Sequence, residues 1–553
     1  MRKRAGLITA LTVVTALVAG GCASIGRDPA PAAPPGYIQE LILPAEQPNS
    51  VQGLENFNPY APAPLTATWL YEPLMIRDLF SCELVPWLAT GYSWPDPQTL
   101  VLDIRQGVSW GDGVPFTAKD VAFTFNAAKT YPGADKAGLW GELFGAPATE
   151  VVATDDATVR ITFAGPAASK LDALVNTMKI VPEHIYGAGG DITTYVDKTP
   201  VGTGPYQVGE FNGRRLTLVR KTDYWQPDAY KVQQISLEGA YDANSGALKL
   251  RNGDLDYYTG DIPNPERSVA RNNATDFYYS PAGTTVLAPN NERFPTSDPA
   301  FRTAMAYGID KAQLARKASF GVMEPASQTM VKLPVQQDLL PGKYQADGGY
   351  LTYDPAKAAQ LLDDAGYRMG PDGLRTGPNG EPISLVFSVQ AGFVDYLAMG
   401  DVIVRNLKAL GIDIRLIATD PNAVDAQKKS GDFDMLLDYV NGGCVRAKDL
   451  GGKLVSSQIS TGDDLLLNVA RYRNPDVDAL VAQYEATTDE AEQADYAAQL
   501  IDIYYEQVPY IALQYAPSRL IYNTDAASGW PSTENPYPTD NPLYVLPHLR
   551  PVS

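Results

Sequence analysis

Strand, tight turn and helix follow one another in residues 99–125, TLVLDIRQGVSWGDGVPFTAKDVAFTF. Thr99–Ile104 alternates in polarity and carries β-branched residues, which predicts a strand. Gly111-Asp112-Gly113 favours a tight turn, and Thr117 is placed to cap the N-terminus of the helix that follows. A strand that leads through a short turn into a helix indicates an α/β protein.

The rest of the chain repeats this mixture of strands and helices. Leu216–Val219 predicts a strand, and helical periodicity appears in Pro355–Ala365, Leu397–Leu410 and Ala491–Tyr505. The glycines of Gly202–Tyr206 are not followed by the Gly-Lys-Ser/Thr of a phosphate loop, and the next segment is typical of a strand. A chain of 553 residues exceeds what one hydrophobic core usually covers, so we expect two or more lobes.

The N-terminus is typical of an export signal. Arg2-Lys3-Arg4 precedes a short apolar run that ends in Val18-Ala19-Gly20-Gly21-Cys22. A cysteine directly after small residues resembles the lipobox of bacterial lipoproteins, which implies a signal peptide over residues 1–21 and an acylated Cys22. Residues 22–36 are rich in Pro, Ala and Gly and predict a flexible tether. Secretion without a lipid is the alternative.

The composition is acidic. The chain has 44 basic and 64 acidic residues, and loss of residues 1–21 would leave 41 basic residues and a formal charge of −23. Such a surface excludes nucleic acid as a natural partner and favours solubility outside the cytoplasm. No other stretch approaches the roughly 20 apolar residues of a membrane span, so a lipid would be the only contact with the membrane.

Cysteine and histidine are scarce. Cys82 and Cys444 are the cysteines that remain once Cys22 is assigned to a lipid. In an oxidising compartment they could form one disulfide, and two separate buried thiols are the alternative. The histidines are His184 and His548, so we expect no metal site and no metal cofactor.

The sequence offers little support for an enzyme. We find no Gly-x-Ser-x-Gly, His-Glu-x-x-His or Ser-x-x-Lys motif with its partners. Two histidines leave little material for a nucleophile paired with a histidine base. A secreted hydrolase is therefore a distant alternative, and an adhesive surface lipoprotein with no small ligand is another.

Many short segments resemble one family in order and spacing. They include Phe57-Asn58-Pro59, Tyr71–Leu74, Leu102–Val121, Gly202–Tyr206, Asp223-Tyr224-Trp225, Leu250–Asp256, Phe301–Ala304, Gly308–Lys311, Tyr353–Ala358 and Gly431–Asp434. Together they resemble the family 5 extracellular solute-binding proteins of ABC importers. This group includes oligopeptide, dipeptide, nickel and β-oligosaccharide binders.

The resemblance implies an α/β clamshell of the type II, periplasmic-binding-protein kind, with an extra subdomain on lobe I. The implied boundaries are residues 37–85 and 195–290 for lobe I, 86–194 for its subdomain, 291–510 for lobe II, and 511–553 for a C-terminal return to lobe I. The implied protein is a monomeric receptor and not an enzyme. It would sit on the outer face of the cytoplasmic membrane and contact an ABC permease, which works with ATPase subunits.

The ligand class stays open between oligosaccharide and oligopeptide. In peptide-binding relatives an aspartate pairs with the ligand ammonium group, and counting from Asp434 its position falls at Gly443. Asp438 or Asp449 could replace it. Tyrosine is abundant, with 32 residues, and flat rings can cover the apolar faces of sugars. The stretch Asn468–Asp478 also resembles β-oligosaccharide binders, so we favour a β-linked oligosaccharide slightly.

The resemblance also implies candidate ligand contacts, since these segments face the cleft in relatives. For each of them, packing inside the fold is the alternative interpretation. The candidates are Asn58, Tyr60, Trp69, Tyr71, Trp140, Asn290, Asn291, Tyr439, Asn441 and Trp530.

Overall fold

Two lobes joined by long strands form the architecture of this computed structural model. The structure describes residues 33–44, 56–61, 67–142, 145–212, 215–239, 241–260, 262, 264–269, 275–440, 443–444, 447–462, 464–539 and 541–552.

Eighteen strands lie within the described residues. In chain order they are β1 (Ile38–Pro44), β2 (Met75–Arg77), β3 (Leu84–Pro86), β4 (Ala89–Asp96), β5 (Thr99–Ile104), β6 (Ala148–Ala153), β7 (Thr158–Phe163), β8 (Tyr206–Phe211), β9 (Arg215–Arg220), β10 (Val232–Glu238), β11 (Tyr257–Tyr258), β12 (Thr275–Pro289), β13 (Arg368–Met369), β14 (Arg375–Thr376), β15 (Leu385–Gln390), β16 (Ile414–Thr419), β17 (Met435–Val440) and β18 (Ile511–Asn523).

Fifteen α-helices accompany these strands in the described part of the chain. They are α1 (Ala67–Leu70), α2 (Ala118–Thr130), α3 (Leu171–Thr177), α4 (Glu183–Tyr186), α5 (Ala243–Asn252), α6 (Pro265–Ser268), α7 (Pro299–Gly308), α8 (Lys311–Ala318), α9 (Pro355–Asp364), α10 (Val394–Ala409), α11 (Pro421–Ser430), α12 (Ala447–Leu450), α13 (Pro475–Ala486), α14 (Glu490–Glu506) and α15 (Pro542–Val545).

The elements predicted from the sequence are present. The strand predicted over Thr99–Ile104 is β5, and the helix after it begins at Ala118 with Thr117 as its N-cap. The Thr117 backbone N–H donates to Asp120 Oδ2 at 2.9 Å, which completes a capping box. The periodicity near residues 355, 397 and 491 corresponds to α9, α10 and α14, so these predictions are confirmed.

Lobe I contains a four-stranded sheet in the order β1-β10-β9-β8, and its subdomain contains a second one in the order β4-β5-β7-β6. The β2–β3 hairpin lies beside them, and all three share one hydrophobic core. Gly202 and Gly204, in the glycine-containing segment Gly202–Tyr206, pack against the backbone of Leu70. A Cβ on Gly202 would lie 1.9 Å from the Leu70 carbonyl oxygen. These glycines therefore serve close packing.

A six-stranded sheet in the order β11-β18-β12-β17-β15-β16 runs from lobe I into lobe II, and its strands β15, β16 and β17 lie in lobe II. Side chains alternate along β17, so that Leu436 and Val440 enter one core and Met435 and Leu437 enter the other. The sheet is therefore covered on both faces, as in an α/β layer architecture.

Strands β12 and β18 carry the chain between the lobes. The two strands pair with each other, antiparallel, over most of their length. The register of β12 is irregular between Pro281 and Gly283 and between Thr285 and Val286. Such β-bulges bend the strands locally. We call this stretch, residues 281–286 with the facing residues 512–517, the hinge.

The segment after β18 packs back onto lobe I. Trp530 stacks on Tyr522 with ring centroids 5.1 Å apart, and the Tyr230 hydroxyl donates to the Leu543 carbonyl oxygen at 3.0 Å. The exact domain boundaries given above stay predictions. Among the described residues, no helix has the length and apolar character needed to cross a bilayer.

Candidate functional site

A cavity of about 400 Å³ lies over the hinge, between the lobes. We call it the hinge cavity. Thr285 of β12 and Gln514 of β18 line it from the crossing strands, and Asn264 and Pro265 line it from lobe I. Lobe II contributes five large side chains to its wall: Phe320, Met323, Phe393, Tyr396 and Tyr439.

The wall of the hinge cavity contains aromatic side chains, and two of them are exposed to solvent. Phe320 is 57% exposed and Phe393 is 46% exposed, although both are large apolar side chains. The rings of Phe393 and Tyr396 lie 5.3 Å apart. Exposed aromatic rings grouped around a cavity are typical of a ligand surface.

Two tyrosines bring neutral hydroxyl groups to this wall. Burial raises the pKa of Tyr439 to about 12, and burial together with the charge of Asp395 raises the pKa of Tyr396 to about 12. Both hydroxyls therefore stay protonated at neutral pH. A protonated phenol can both donate and accept a hydrogen bond.

The Tyr439 ring fits because the hinge has no side chain beneath it. A Cβ on Gly283 would lie 2.3 Å from the Tyr439 hydroxyl oxygen. Gly283 belongs to the irregular stretch of β12, so the bulge and the ring share one space. The position of this tyrosine is therefore linked to the shape of the hinge.

Gln514 is a polar side chain in the buried run Ile511–Tyr515 of β18. Its exposed fraction is 3%, it pairs with Thr285 in the ladder, and its Oε1 accepts no hydrogen bond from the described residues. A buried acceptor without a donor is costly. The hinge cavity is thus lined by a group that a ligand donor would satisfy.

A second cavity, of about 540 Å³, lies between lobe I and lobe II near Cys82. We call it the mouth cavity. Carboxylates outnumber basic groups on its wall: Glu83, Asp172, Asp449 and Glu490 face one arginine, Arg77. Arg77 pairs with Asp172 at 2.7 Å. The remaining carboxylates give this cavity an acidic character.

The two aspartates considered as replacements for the ammonium anchor differ sharply. Asp438 is buried between Lys428 and Lys453, each 2.9 Å away. Burial alone would raise its pKa, but the two lysines outweigh burial and lower it. Asp438 is therefore engaged inside lobe II.

Asp449 lies at the position where the anchor is missing. A Cβ on Gly443 would stand 2.9 Å from Asp449 Oδ1, and Asp449 Oδ2 accepts a hydrogen bond from the Cys444 backbone N–H at 3.0 Å. The carboxylate of Asp449 thus fills the space that an aspartate side chain at residue 443 would occupy.

Most predicted contacts in lobe I hold the lobe itself together. Asn58 Nδ2 donates to the carbonyl oxygens of Ile192 at 2.6 Å and Tyr195 at 2.9 Å. The Tyr60 hydroxyl donates to the Lys179 carbonyl oxygen at 2.7 Å. Both side chains are buried, which fits the alternative interpretation that they pack inside the fold.

The aromatic candidates of lobe I also make contacts within their own lobe, where Trp69 and Tyr71 are buried and Trp140 is half-buried. Trp69 packs edge-on against Tyr206, and the Tyr71 hydroxyl donates to Asp197 Oδ2 at 2.5 Å. The indole N–H of Trp140 donates to the Phe125 carbonyl oxygen at 2.8 Å. Trp530 is buried against Tyr522, where it fastens the C-terminal segment.

Among the predicted contacts of lobe II that the structure describes, only Tyr439 lines a cavity described above. Asn290 Nδ2 donates to the carbonyl oxygens of Gly431 and Phe433, both at 3.0 Å. Asn291 Nδ2 donates to the Ala470 carbonyl oxygen at 2.9 Å. Asn441 lies outside the described residues, as does Cys22.

Cys82 and Cys444 form a disulfide, with their Cα atoms 5.5 Å apart.

Four residues that line the hinge cavity were not named in the sequence analysis: Phe320, Phe393, Tyr396 and Gln514. The sequence contained one signal for Gln514. It is an amide in the run Ile511–Tyr515, whose other members are three aliphatic residues and a tyrosine.

The model of the bacterial extracellular solute-binding proteins, family 5, matches residues 83–458. The chain belongs to this family. A nickel-binding periplasmic protein from Escherichia coli K12 is 24% identical over 469 residues, covering 82% of this chain and 86% of that protein. A glutathione-binding protein from Salmonella typhi is 28% identical over 440 residues, covering 77% of this chain and 79% of the relative.

Solved structures share the fold of this family 5 protein. A periplasmic oligopeptide-binding protein from Thermotoga maritima has a TM-score of 0.78 and 24% identity, covering 92% of this chain and 98% of that chain. Its mannohexaose-bound structure gives a TM-score of 0.68 at 24% identity, covering 94% of this chain and 99% of that chain.

Family membership defines the general role. Family 5 solute-binding proteins are receptors of ABC importers that act outside the cytoplasm, and they are not enzymes. The expected fold class and family are thereby confirmed. The hinge and mouth cavities lie between the lobes, where such a receptor encloses its ligand.

Proposed function

We propose that this protein is the lipid-anchored receptor of an ABC importer for a β-linked oligosaccharide. The observation that carries the ligand class is the hinge cavity, which Phe393, Tyr396 and Tyr439 line together with the buried Gln514. Aromatic rings cover the apolar C–H faces of a pyranose, and neutral hydroxyl and amide groups match its hydroxyls.

Lobe closure would be the mechanism of capture. A sugar in the hinge cavity would touch Asn264 of lobe I and Tyr439 of lobe II at once. Because both lobes contact the ligand only in the closed form, the ligand favours that form by the difference in affinity. The permease would then recognise the closed receptor, which stays near the membrane through the lipid on Cys22.

A free-amine oligopeptide is the second candidate, and one observation favours it. Asp449 presents its carboxylate at Gly443, where peptide-binding relatives carry their anchor. A buried ammonium group needs such a counter-charge. The acidic wall of the mouth cavity points in the same direction.

A thermal-shift screen of residues 23–553 separates the two ligand classes. The probes are β-linked di- to tetrasaccharides, free-amine peptides of two to six residues, and the same peptides after N-acetylation. A ligand that binds only the folded state raises its melting temperature. We expect a rise with sugars and none with either peptide set.

Two variants assign the binding to a cavity. Tyr439→Ala should abolish the shift with sugars, whereas Asp449→Asn, which keeps an acceptor for the Cys444 backbone N–H, should leave it unchanged. A shift with free-amine peptides that is lost on acetylation and in Asp449→Asn would contradict the sugar assignment and establish the peptide receptor.

A further inference from the structure

The disulfide Cys82–Cys444 is a third connection between the lobes. Cys82 lies in the turn of the β2–β3 hairpin of lobe I, and Cys444 follows β17 of lobe II. The other two connections, β12 and β18, are neighbours in one sheet. The disulfide is a separate covalent link, since Cys444 lies four residues beyond Val440, the last residue of β17 that pairs with β12.

Cys82 stands on a turn that is well fastened to lobe I. Its backbone N–H donates to the Asp78 carbonyl oxygen at 2.8 Å, and the Arg77 guanidinium donates to the Cys82 carbonyl oxygen. Asp78 in turn accepts a hydrogen bond from the Tyr544 hydroxyl at 2.7 Å. A pull on this sulfur is thus transmitted to the body of the lobe.

The residue before Cys444 is fastened to lobe II. The Gly443 carbonyl oxygen accepts hydrogen bonds from Lys332 Nζ at 3.2 Å and Gln336 Nε2 at 3.3 Å, and both of these side chains are buried. Gln336 Nε2 also donates across the lobes to the Leu79 carbonyl oxygen at 3.0 Å. Polar contacts therefore reinforce the covalent link.

A disulfide tolerates little separation, since its Cα atoms stay within about 4.4–6.8 Å of each other. The hinge holds the lobes together at one place, and the disulfide holds them at another. Two bodies held at two places can move mainly by rotating about the line that joins those places.

We propose that the disulfide Cys82–Cys444 acts as a second pivot, which sets the axis of lobe opening together with the hinge and limits its range. The cleft opens on the side away from this axis, and the lobes at the mouth cavity stay together while the disulfide is intact. The ligand-free receptor consequently remains closer to its closed form.

This inference rests on the lobe-closure mechanism of the proposed function, but its test needs no ligand. Small-angle X-ray scattering of residues 23–553 gives the radius of gyration of three samples: oxidised protein, the same protein reduced with a phosphine, and Cys82→Ser/Cys444→Ser. We expect the reduced protein and the double variant to have the same, larger radius. Addition of the phosphine to the double variant is the control and should change nothing.

Two further measurements keep the outcome clear. Peptide mapping without reduction should recover the peptides of Cys82 and Cys444 as one linked species, and circular dichroism should show that reduced and variant proteins remain folded. Free thiols in the protein as isolated would overturn the proposal. So would equal radii for folded oxidised and reduced protein, even if a sugar or a peptide proves to bind.

Discussion

Under the proposed function, Gln514 would serve binding at the expense of stability. It lies in the buried run Ile511–Tyr515 of β18, beside Ala512 and Leu513, and its Oε1 accepts no hydrogen bond from the described residues. Folding removes this oxygen from water without replacing the water hydrogen bonds. A ligand that donates to it would restore what folding removed.

Gln514→Leu should therefore separate stability from binding. We expect the free energy of unfolding of the ligand-free protein to rise by about 1 kcal/mol, because an unpaired buried acceptor is lost. We also expect sugar affinity to fall about tenfold, since one hydrogen bond to the ligand disappears. Urea unfolding and calorimetric titration measure the two effects, and a loss of stability together with unchanged affinity would indicate a structural role alone.

The residues of the site were harder to predict than the elements that carry them. Asn58, Tyr71 and Asn290 belong to segments that face the cleft in relatives, yet each bonds within its own lobe. Residue type cannot distinguish an amide that supports a loop from one that meets a ligand. Tyr439, which lies in β17, lines the hinge cavity, and its contact with a ligand stays a prediction.

At the scale of elements, the hinge joins two requirements in one short stretch. Strand β12 needs an irregular register between Pro281 and Gly283 to bend, and Tyr439 needs the space above Gly283 for its ring. A residue with a side chain at position 283 would meet that ring or would straighten the strand.

Gly283→Ala tests this coupling. The added methyl group would lie 2.3 Å from the Tyr439 hydroxyl oxygen, so we expect a loss of about 1–3 kcal/mol in stability and weaker sugar binding. Gly239→Ala is the matched control, because a Cβ there has no neighbour within 4 Å among the described residues. Unfolding curves and calorimetric titrations of both variants should differ. Equal behaviour of the two variants would show that the hinge accommodates the methyl group.

Helix α8 contains a lysine in an unfavourable place. Lys311 is the first residue of this helix, is buried, and donates from Nζ to the Leu351 carbonyl oxygen at 2.7 Å. Burial lowers its pKa to about 7 from 10.5. The positive end of the helix dipole also disfavours a charged lysine there.

Lys311→Met should reveal this pKa through the pH dependence of stability. Between about pH 7 and 10.5 the unfolded chain holds a proton on Lys311 that the folded protein does not hold, so the stability of the wild type rises with pH. The variant lacks this contribution. We expect the wild type to gain stability relative to Lys311→Met as the pH rises from 7 to 10, with Lys317→Met in the same helix as control. A constant difference across this range would contradict the lowered pKa.

Local elements were predicted well from the sequence, and long-range pairing was not. The strand β5 and the helices α9, α10 and α14 follow from periodicity and caps that lie within each segment. Pairing of β12 with β18 joins residues more than 200 positions apart. No local pattern reports such a partner, so the architecture was accessible only through the family resemblance.

At the scale of the whole molecule, the lobes and the predicted lipid anchor have separate roles. In the proposed function the lobes would enclose the ligand, while the tether at residues 22–36 would keep the receptor near its permease. An anchored receptor meets the permease at a far higher effective concentration than a free one.

Cys22→Ser tests the anchor. In cells that export this protein, we expect the wild type to sediment with membranes and the variant to remain in the soluble extracytoplasmic fraction. Lipidation of Cys22 supplies the hydrophobic attachment, and the serine cannot carry it. The purified wild-type protein and the purified Cys22→Ser variant should bind the ligand with the same affinity. Recovery of wild-type protein in the soluble fraction would favour plain secretion.

The return of the C-terminal segment to lobe I has a consequence for the chain as it is being made. Lobe I pairs Ile38–Pro44 with Val232–Glu238, and its core also includes Leu546 and Leu549. Lobe II lies between these parts of the chain. A chain emerging from its N-terminus onward can therefore assemble lobe II first, while the core of lobe I stays unfinished until Leu546 and Leu549 have emerged.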